Sequence, residues 1–270
     1  MTWLEALILG IVQGLTEFLP VSSSGHLTIG RALLGVEASE DLVFEVAVHA
    51  ATVLATIVVF RKAIFNLLKG FFKFKNNDET DYILKIGVSM IPVFVVGVFF
   101  KDAVESLFAS ILVVGVALLL TSILLYFSDK SVYFRTESYY GKTTRNGISY
   151  FQALMVGVGQ AFAVVPGLSR SGTTIATGLL CGVKREVMAQ FSFLMVIIPI
   201  LGEAFLDIVG GDFSRSSIGV APLVCGFVSA FISGLFACKV MIALVKKARL
   251  KWFALYCAVV GLAVIISQLV

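Results

Sequence analysis

The chain has 270 residues, of which 59% are hydrophobic and only 14% are charged, and its mean hydropathy is +0.99. A soluble domain carries about 25% charged residues, so this composition excludes a cytosolic globular enzyme, a disordered chain and a fibrous repeat. The net charge of +4 is too small for a nucleic-acid-binding protein. Because the apolar runs are continuous and do not alternate, they predict an all-α polytopic membrane protein, not a barrel.

Taken in chain order, the predicted elements form two similar series. Residues 3–35 are apolar but interrupted by LPVSSSGH, and three stretches long enough to span a membrane follow. Residues 148–183 are interrupted by VPGLSRSGTT, and three more such stretches follow. The six predicted spans are 42–60, 82–100, 107–127, 186–209, 217–238 and 250–270. Irregular backbone at membrane depth needs surrounding protein or water, so both broken regions are predicted to be re-entrant helical hairpins.

The basic residues predict the orientation. With six spans and two hairpins, one set of loops carries sixteen Lys and Arg residues, and the opposite set carries only Arg31, Lys101 and Arg215. Lys85 and Arg170, inside apolar segments, complete the 21 basic residues of the chain. Since basic loops stay on the cytoplasmic side, both termini are predicted to lie outside.

The two broken regions are related by an internal repeat. A constant offset of 147 residues pairs Gly10 with Gly157, Gln13 with Gln160, Ser22 with Ser169, Ser24 with Ser171, Gly25 with Gly172 and Gly35 with Gly182. Three predicted spans separate the hairpins, and an odd number inverts the second copy, as in many transporters. The sequence therefore predicts an inverted repeat with halves 1–128 and 129–270 and with facing hairpin tips.

Polar side chains cluster at the two breaks. The first region contains Gln13, Glu17, Ser22, Ser23, Ser24 and His26, and the second contains Ser169, Arg170, Ser171, Thr173 and Thr174. Ionisable groups at membrane depth are functional candidates. Arg170 suits a phosphate, Glu17 could ligate a divalent cation, and Ser23 or His26 could attack phosphorus or activate the other. This set predicts phosphoryl transfer on an anionic lipid headgroup.

Structural interpretations of the same residues remain open at this point. Small hydroxyl residues often mediate close helix packing in membranes, and Glu17 with Arg170 could form a structural ion pair across the repeat. Glu45 and His49, one turn apart on the first span, could line the same cavity or form an ordinary interior pair. Gln160 is a further candidate for the cavity lining.

The stretches QGLTEFLPVSSSGH at 13–26 and PGLSRSGTT at 166–174 resemble the two signature motifs of the undecaprenyl-pyrophosphate phosphatase family, the bacitracin resistance protein. The resemblance covers the whole chain in length, hydropathy and motif spacing, including FEV at 44–46. It implies dephosphorylation of undecaprenyl pyrophosphate to the monophosphate carrier in the bacterial inner membrane. This reaction would serve peptidoglycan synthesis and confer bacitracin resistance. It also implies dependence on Mg²⁺ or Ca²⁺.

The resemblance further implies residue roles. Gln13 and Glu17 stand at the acidic or amide pair of the family, and Ser23 and His26 at its catalytic Ser and His. The second-motif contacts correspond to Ser169, Arg170 and Thr174. Gln13 is the amide variant, so a metal site with two carboxylates at 13 and 17 is not expected, and His49 replaces an expected glutamine.

Two rival functions share features with this sequence. An unrelated class of lipid-phosphate phosphatases also uses SGH and SR, but it needs a histidine where this chain has Ala176, and it is rejected. A polyprenyl-phosphate transporter or flippase stays the alternative, because inverted repeats are its usual setting. The acid, the His and the Arg favour an enzyme. Because both termini are predicted outside, the 3–35 hairpin enters from the outer face, and the cavity is predicted to open outward. A homodimer remains open.

Overall fold

The structure is a computed structural model that describes residues 1–36, 41–100, 103–104, 107, 110–133, 144–202, 218–247 and 249–269. Within these ranges the regular structure is helical. The α-helices in chain order are α1 (Trp3–Phe18), α2 (Ser23–Leu34), α3 (Asp41–Phe71), α4 (Asp78–Phe99), α5 (Ile111–Tyr133), α6 (Tyr150–Phe162), α7 (Arg170–Leu180), α8 (Arg185–Met195), α9 (Val220–Lys247) and α10 (Lys251–Leu269).

Within the described ranges six helices are long and apolar enough to cross a membrane, so the prediction of a multi-pass helical membrane protein is confirmed. They are Val43–Phe71, Asp78–Phe99, Ile111–Ser131, Arg185–Gly202, Val220–Leu244 and Lys251–Leu269. Each coincides with one predicted span, and the first extends eleven residues beyond its predicted end at 60. The end of the predicted span 186–209 lies outside the described residues.

Each broken region is a pair of short helices whose ends are set by local sequence. A capping box starts α1, where Thr2 caps the helix and Glu5 bonds back to the Thr2 amide. The same box, Ser149 with Gln152, starts α6. Both partners of the second box lie 147 residues after those of the first. The internal repeat of the sequence therefore has the same local structure at the start of α1 and of α6.

The helices after the breaks also begin and end alike. Ser22 and Ser169 are the N-caps of α2 and α7, and each hydroxyl accepts a hydrogen bond from a glycine amide three residues on. Both helices are followed by a left-handed glycine, Gly35 with φ 69° and Gly182 with φ 88°. That conformation is easy only for glycine, and it prevents either helix from continuing.

Helix packing is reciprocal between the halves. Helix α1 packs along α9, α6 packs along α4, and α5 and α10 pack on each other. The α1–α9 contact is close because Gly10 lies directly against the Gly226 carbonyl, and Gly157 of α6 lies equally close to the Ser89 carbonyl. The short helices are therefore fixed inside the bundle, and their breaks meet in its interior.

Candidate active site

Glu17 is the centre of the polar cluster at the breaks. Its Oε1 accepts a hydrogen bond from Arg170 Nη2 at 2.6 Å, and its Oε2 accepts bonds from Gln13 Nε2 at 2.9 Å and Ser23 Oγ at 2.6 Å. His49 Nε2 lies 3.7 Å from the same Oε2. The Glu17 side chain is only 7% exposed, so these partners replace the solvent that a buried carboxylate would lack.

Local structure explains why these groups meet. Gln13 and Glu17 share a face of α1 because they are four residues apart, and Ser23 is the first helical residue after the break. Arg170 is the first residue of α7. The two breaks are joined directly by Ser171, whose Oγ donates to the Leu19 carbonyl at 3.0 Å. The Glu17 carboxylate, which contacts Ser23 and Arg170, therefore links both broken regions.

The N-termini of α2 and α7 add backbone polarity to this cluster. Unpaired amides and the aligned peptide dipoles make a helix N-terminus favourable for an anion. The side chains of Ser24 and Ser171 each lie 3.4 Å from their own N-cap hydroxyl, Ser22 or Ser169. The site therefore combines a guanidinium, serine hydroxyls and two helix starts, a donor set that suits a phosphate.

A cavity adjoins the cluster. Its lining includes Glu17, Phe18, Thr52, Val53, Thr56, Gln160, Arg170, Ser171, Thr174, Ser192, Phe193, Val196 and Ile200. Thr174 Oγ1 pairs with Ser192 Oγ at 2.6 Å, which ties α7 to α8 along this wall. The wall carries one acid, one cation and several hydroxyls, so a small anionic group can be bound there.

The chain matches the family model described as "Bacitracin resistance protein BacA" over residues 6–263. The chain belongs to this family. A protein of Bacteroides thetaiotaomicron named undecaprenyl-diphosphatase is 54% identical over 273 residues, covering 100% of both chains. Proteins of the same name from Parabacteroides distasonis and Methanosphaera stadtmanae are 55% and 39% identical, the former over 100% of this chain and 99% of its own, the latter over 99% and 98%.

In this BacA-family chain His26 has other partners than Ser23. Its Nδ1 lies 2.7 Å from the Ser22 carbonyl oxygen, and its Nε2 lies 2.7 Å from the Tyr256 hydroxyl. The bond of Ser23 goes to Glu17. The structure therefore gives no hydrogen bond between the Ser23 and His26 side chains to support the hypothesis that one activates the other, and the carboxylate is the group that contacts the serine.

The remaining predicted positions differ in whether they reach the polar cluster or the cavity. His49 reaches the cluster, whereas Glu45 pairs with Arg31 at 3.4 Å. Gln160 lines the cavity, and its Oε1 is buried without a partner among the described residues. Thr173 is buried, and its hydroxyl likewise has no partner within that part of the chain.

Sequence reasoning missed several residues of the site. Thr52 and Thr56 line the cavity one and two turns after His49, and this spacing on α3 could have indicated them. Ser192 and Tyr256 had no such signal, because a serine or an aromatic residue on an apolar span is ordinary.

The donor set is compatible with a divalent cation. Gln13 Oε1 is buried without a partner among the described residues, and carboxylate and amide oxygens are the ligands that Mg²⁺ and Ca²⁺ prefer. The described residues contain no group of three His, Cys, Asp or Glu side chains arranged for a metal. A cation held by Glu17 and Gln13 would therefore depend on substrate oxygens and water for its other ligands.

Proposed function

We propose that this protein is an integral membrane phosphatase that hydrolyses undecaprenyl pyrophosphate to undecaprenyl phosphate and inorganic phosphate. This reaction recycles the lipid carrier of cell-wall synthesis and would confer bacitracin resistance. One observation carries the proposal. A serine hydroxyl, a buried carboxylate and an arginine form one hydrogen-bonded cluster at two helix N-termini. The family membership and the names of the full-length relatives support it.

The geometry favours Ser23 over His26 as the nucleophile. Ser23 Oγ already donates to Glu17 Oε2, so the carboxylate can take the proton as the oxygen attacks the terminal phosphorus. The new Oγ–P bond replaces the bond from that phosphorus to the bridging oxygen, which keeps the electron pair and leaves as the lipid monophosphate. Water then attacks the phosphoserine, releases inorganic phosphate and restores Ser23.

Arg170 is proposed to bind the diphosphate. A guanidinium has five N–H donors, and Nη2 is the donor directed at Glu17. Other donors can hold phosphate oxygens in pairs while the N-termini of α2 and α7 supply backbone amides. Ser22, Ser24, Ser169, Ser171, Thr173 and Thr174 are proposed as further contacts around this anion.

Glu17 and Gln13 are proposed to hold Mg²⁺ or Ca²⁺ together with substrate oxygens. A bound divalent cation would neutralise part of the charge of the diphosphate. The amide N–H of Gln13 positions Glu17. The Gln13 carbonyl oxygen, which has no hydrogen-bond partner among the described residues, would be the second ligand of the cation.

The two helix pairs are proposed to be re-entrant hairpins of an inverted repeat. The caps repeated at an offset of 147 and the reciprocal packing of α1 on α9 and α6 on α4 support this arrangement. The predicted halves 1–128 and 129–270 meet near the end of α5, which continues to Tyr133. With the basic loops in the cytoplasm, both termini lie outside.

The cavity is proposed to open outward. Helix α8 begins at Arg185, next to the basic Lys184, and the spanning segment Arg185–Gly202 lines the cavity from Ser192 to Ile200, away from that end. A multiply charged headgroup is costly to draw through hydrocarbon, so an outward opening lets it enter while the polyprenyl tail stays in lipid.

Purified protein in detergent tests the proposed reaction. Phosphate release from a polyprenyl pyrophosphate, without any gradient, is expected for the wild type and should be lost in Ser23→Ala. A transporter needs Arg170 but no nucleophile beside a carboxylate. Movement of polyprenyl phosphate across vesicles without any phosphate release would therefore contradict the enzyme and favour the transporter.

A further inference from the structure

The His26 imidazole is held in one orientation by its first hydrogen bond. His26 lies in the first turn of α2, and its Nδ1 is 2.7 Å from the carbonyl oxygen of Ser22, the N-cap residue. A carbonyl oxygen can only accept, so Nδ1 carries the hydrogen of this bond. In the neutral ring, the lone pair is therefore on Nε2.

Tyr256 of α10 pairs with that second nitrogen. Its hydroxyl lies 2.7 Å from His26 Nε2, and the two rings are nearly parallel, with 8° between their planes and 5.6 Å between their centroids. Because a phenol can donate or accept, this bond can persist when the imidazole is neutral and when it is protonated. Tyr256 thus fixes the ring by its hydroxyl and by its face.

Neighbouring side chains on α10 hold Tyr256 in this place. The next residue, Cys257, is buried, and its Sγ lies 3.6 Å from the Pro20 carbonyl at the first break. Cys257 and Ala254 also pack with Val21 in one apolar cluster. Helix α10 is therefore fastened to the same break that presents Ser23 and His26, which are three residues apart on one face of α2.

A role as an interfacial aromatic residue does not account for this geometry. Belt tyrosines direct their hydroxyls toward headgroups and water, whereas the Tyr256 hydroxyl is directed at a ring nitrogen. Tyr126 of α5 offers a comparison, since it is 52% exposed against 44% for Tyr256 and its ring contacts Phe127.

We propose that Tyr256 is a positioning residue for His26: the Ser22 carbonyl fixes the lone pair on Nε2, and the Tyr256 hydroxyl orients that nitrogen on the face of α2 that also carries Ser23. The proposal rests on the proposed phosphatase function. The hydroxyl of Tyr256 is bonded to His26 Nε2, so Tyr256 acts through His26. Loss of its hydroxyl should therefore lower kcat and leave KM unchanged.

The test compares Tyr256→Phe with the matched control Tyr126→Phe. Tyr256→Phe keeps the stacked ring and removes one hydrogen bond, so kcat should fall by about tenfold with KM within about twofold. Tyr126→Phe should change neither. Gel filtration and the thermal unfolding midpoint establish that both variants are folded.

A spectroscopic measurement tests the contact apart from activity. The chain has two histidines, so His49→Gln leaves His26 alone, and imidazole ¹⁵N spectra then report one ring. The expected spectrum shows a protonated Nδ1 and a hydrogen-bonded Nε2. In that background Tyr256→Phe should shift the Nε2 signal toward that of an unbonded nitrogen, while Tyr126→Phe should leave it in place.

Two results would overturn the proposal. One is an Nε2 signal that does not respond to Tyr256→Phe, and the other is a full kcat in that variant although the signal moves. If the wild type released no phosphate from the diphosphate, the proposed function would fail instead. The ¹⁵N comparison would then decide alone whether Tyr256 fixes the imidazole.

Discussion

Replacing Arg170 separates a substrate-binding role from a structural ion pair. The guanidinium lies 2.6 Å from Glu17 Oε1, and the two side chains are 25% and 7% exposed. With about 4 Å between the charge centres and an effective dielectric constant of about 20, the attraction is roughly 4 kcal/mol before desolvation. Gln13 and Ser23 still bond to Glu17 when the arginine is removed. Arg170→Ala should therefore cost about 2 kcal/mol of stability, below the roughly 3–5 kcal/mol of a fully buried pair.

The rate should respond more strongly than the stability. Removing a fixed donor to a developing oxyanion costs about 10²–10³ in kcat, or roughly 3–4 kcal/mol. Arg170→Lys keeps the positive charge beside Glu17 but loses the two-pronged geometry. It should recover most of the unfolding midpoint and still turn over at least about tenfold more slowly.

The assay is phosphate release from a short-chain polyprenyl pyrophosphate in detergent, with thermal unfolding measured on the same samples. Arg145→Lys is the matched control, because Arg145 forms a 2.6 Å pair with Asp78 at an exposed position. It should leave turnover unchanged. Near-wild-type turnover of Arg170→Ala would refute the binding role, and so would a rate that recovers in parallel with stability in Arg170→Lys.

Three further predictions concern the nucleophile, the packing and the orientation. Ser23→Ala should lower kcat by about 10³ or more, with Ser267→Ala as control. Enzyme denatured at neutral pH should carry acid-stable labelled phosphate on residue 23, whereas acid-labile phosphate on His26 would exclude Ser23. Gly157→Ala forces a methyl group against the Ser89 carbonyl and should cost about 1–3 kcal/mol in thermal unfolding, whereas Gly87→Ala, with open space, should not destabilise. In a cysteine-free background, an impermeant thiol reagent added outside intact cells should label Gly219→Cys and not Lys75→Cys; the reverse pattern would invert the orientation.

The spanning helices could be predicted from the sequence because a bilayer imposes a length and a composition on them. Each of the six spans is a long apolar run, and a run of that kind has few other uses. The helix pairs were also predictable, because LPVSSSGH and VPGLSRSGTT interrupt the two apolar regions. In the structure Ser22 and Ser169, within these interruptions, are the N-caps of the helices that follow. Both signals depend on near neighbours in the chain.

The partners inside the site were less predictable because they come from distant helices. Glu17 and Arg170 could be recognised, since ionisable residues inside apolar segments are costly and need partners. The choice among partners was not visible, and Glu45 turned to Arg31 instead of the cluster. Tyr256 lies 230 residues after His26, and nothing local distinguishes it from any other aromatic residue on a span.

The two broken regions share their helix caps and differ in their chemistry, and this difference yields a final prediction. At an offset of 147, Glu17 corresponds to Val164, so Gln13 has an acidic neighbour and Gln160 has none. Gln13→Glu would place two carboxylates side by side, which is tolerable only if a cation is shared. Activity should then survive at saturating Mg²⁺ and fall steeply as Mg²⁺ is withdrawn. Gln160→Glu instead adds a carboxylate with no acidic residue one turn later on its own helix to the cavity wall that contains Glu17 and Arg170, and it should raise KM for the diphosphate at every Mg²⁺ concentration. Identical Mg²⁺ titrations of the two variants would contradict a cation site at Gln13 and Glu17. Because the scaffold is common to both positions, such a difference can arise only from the residues that the two repeats do not share.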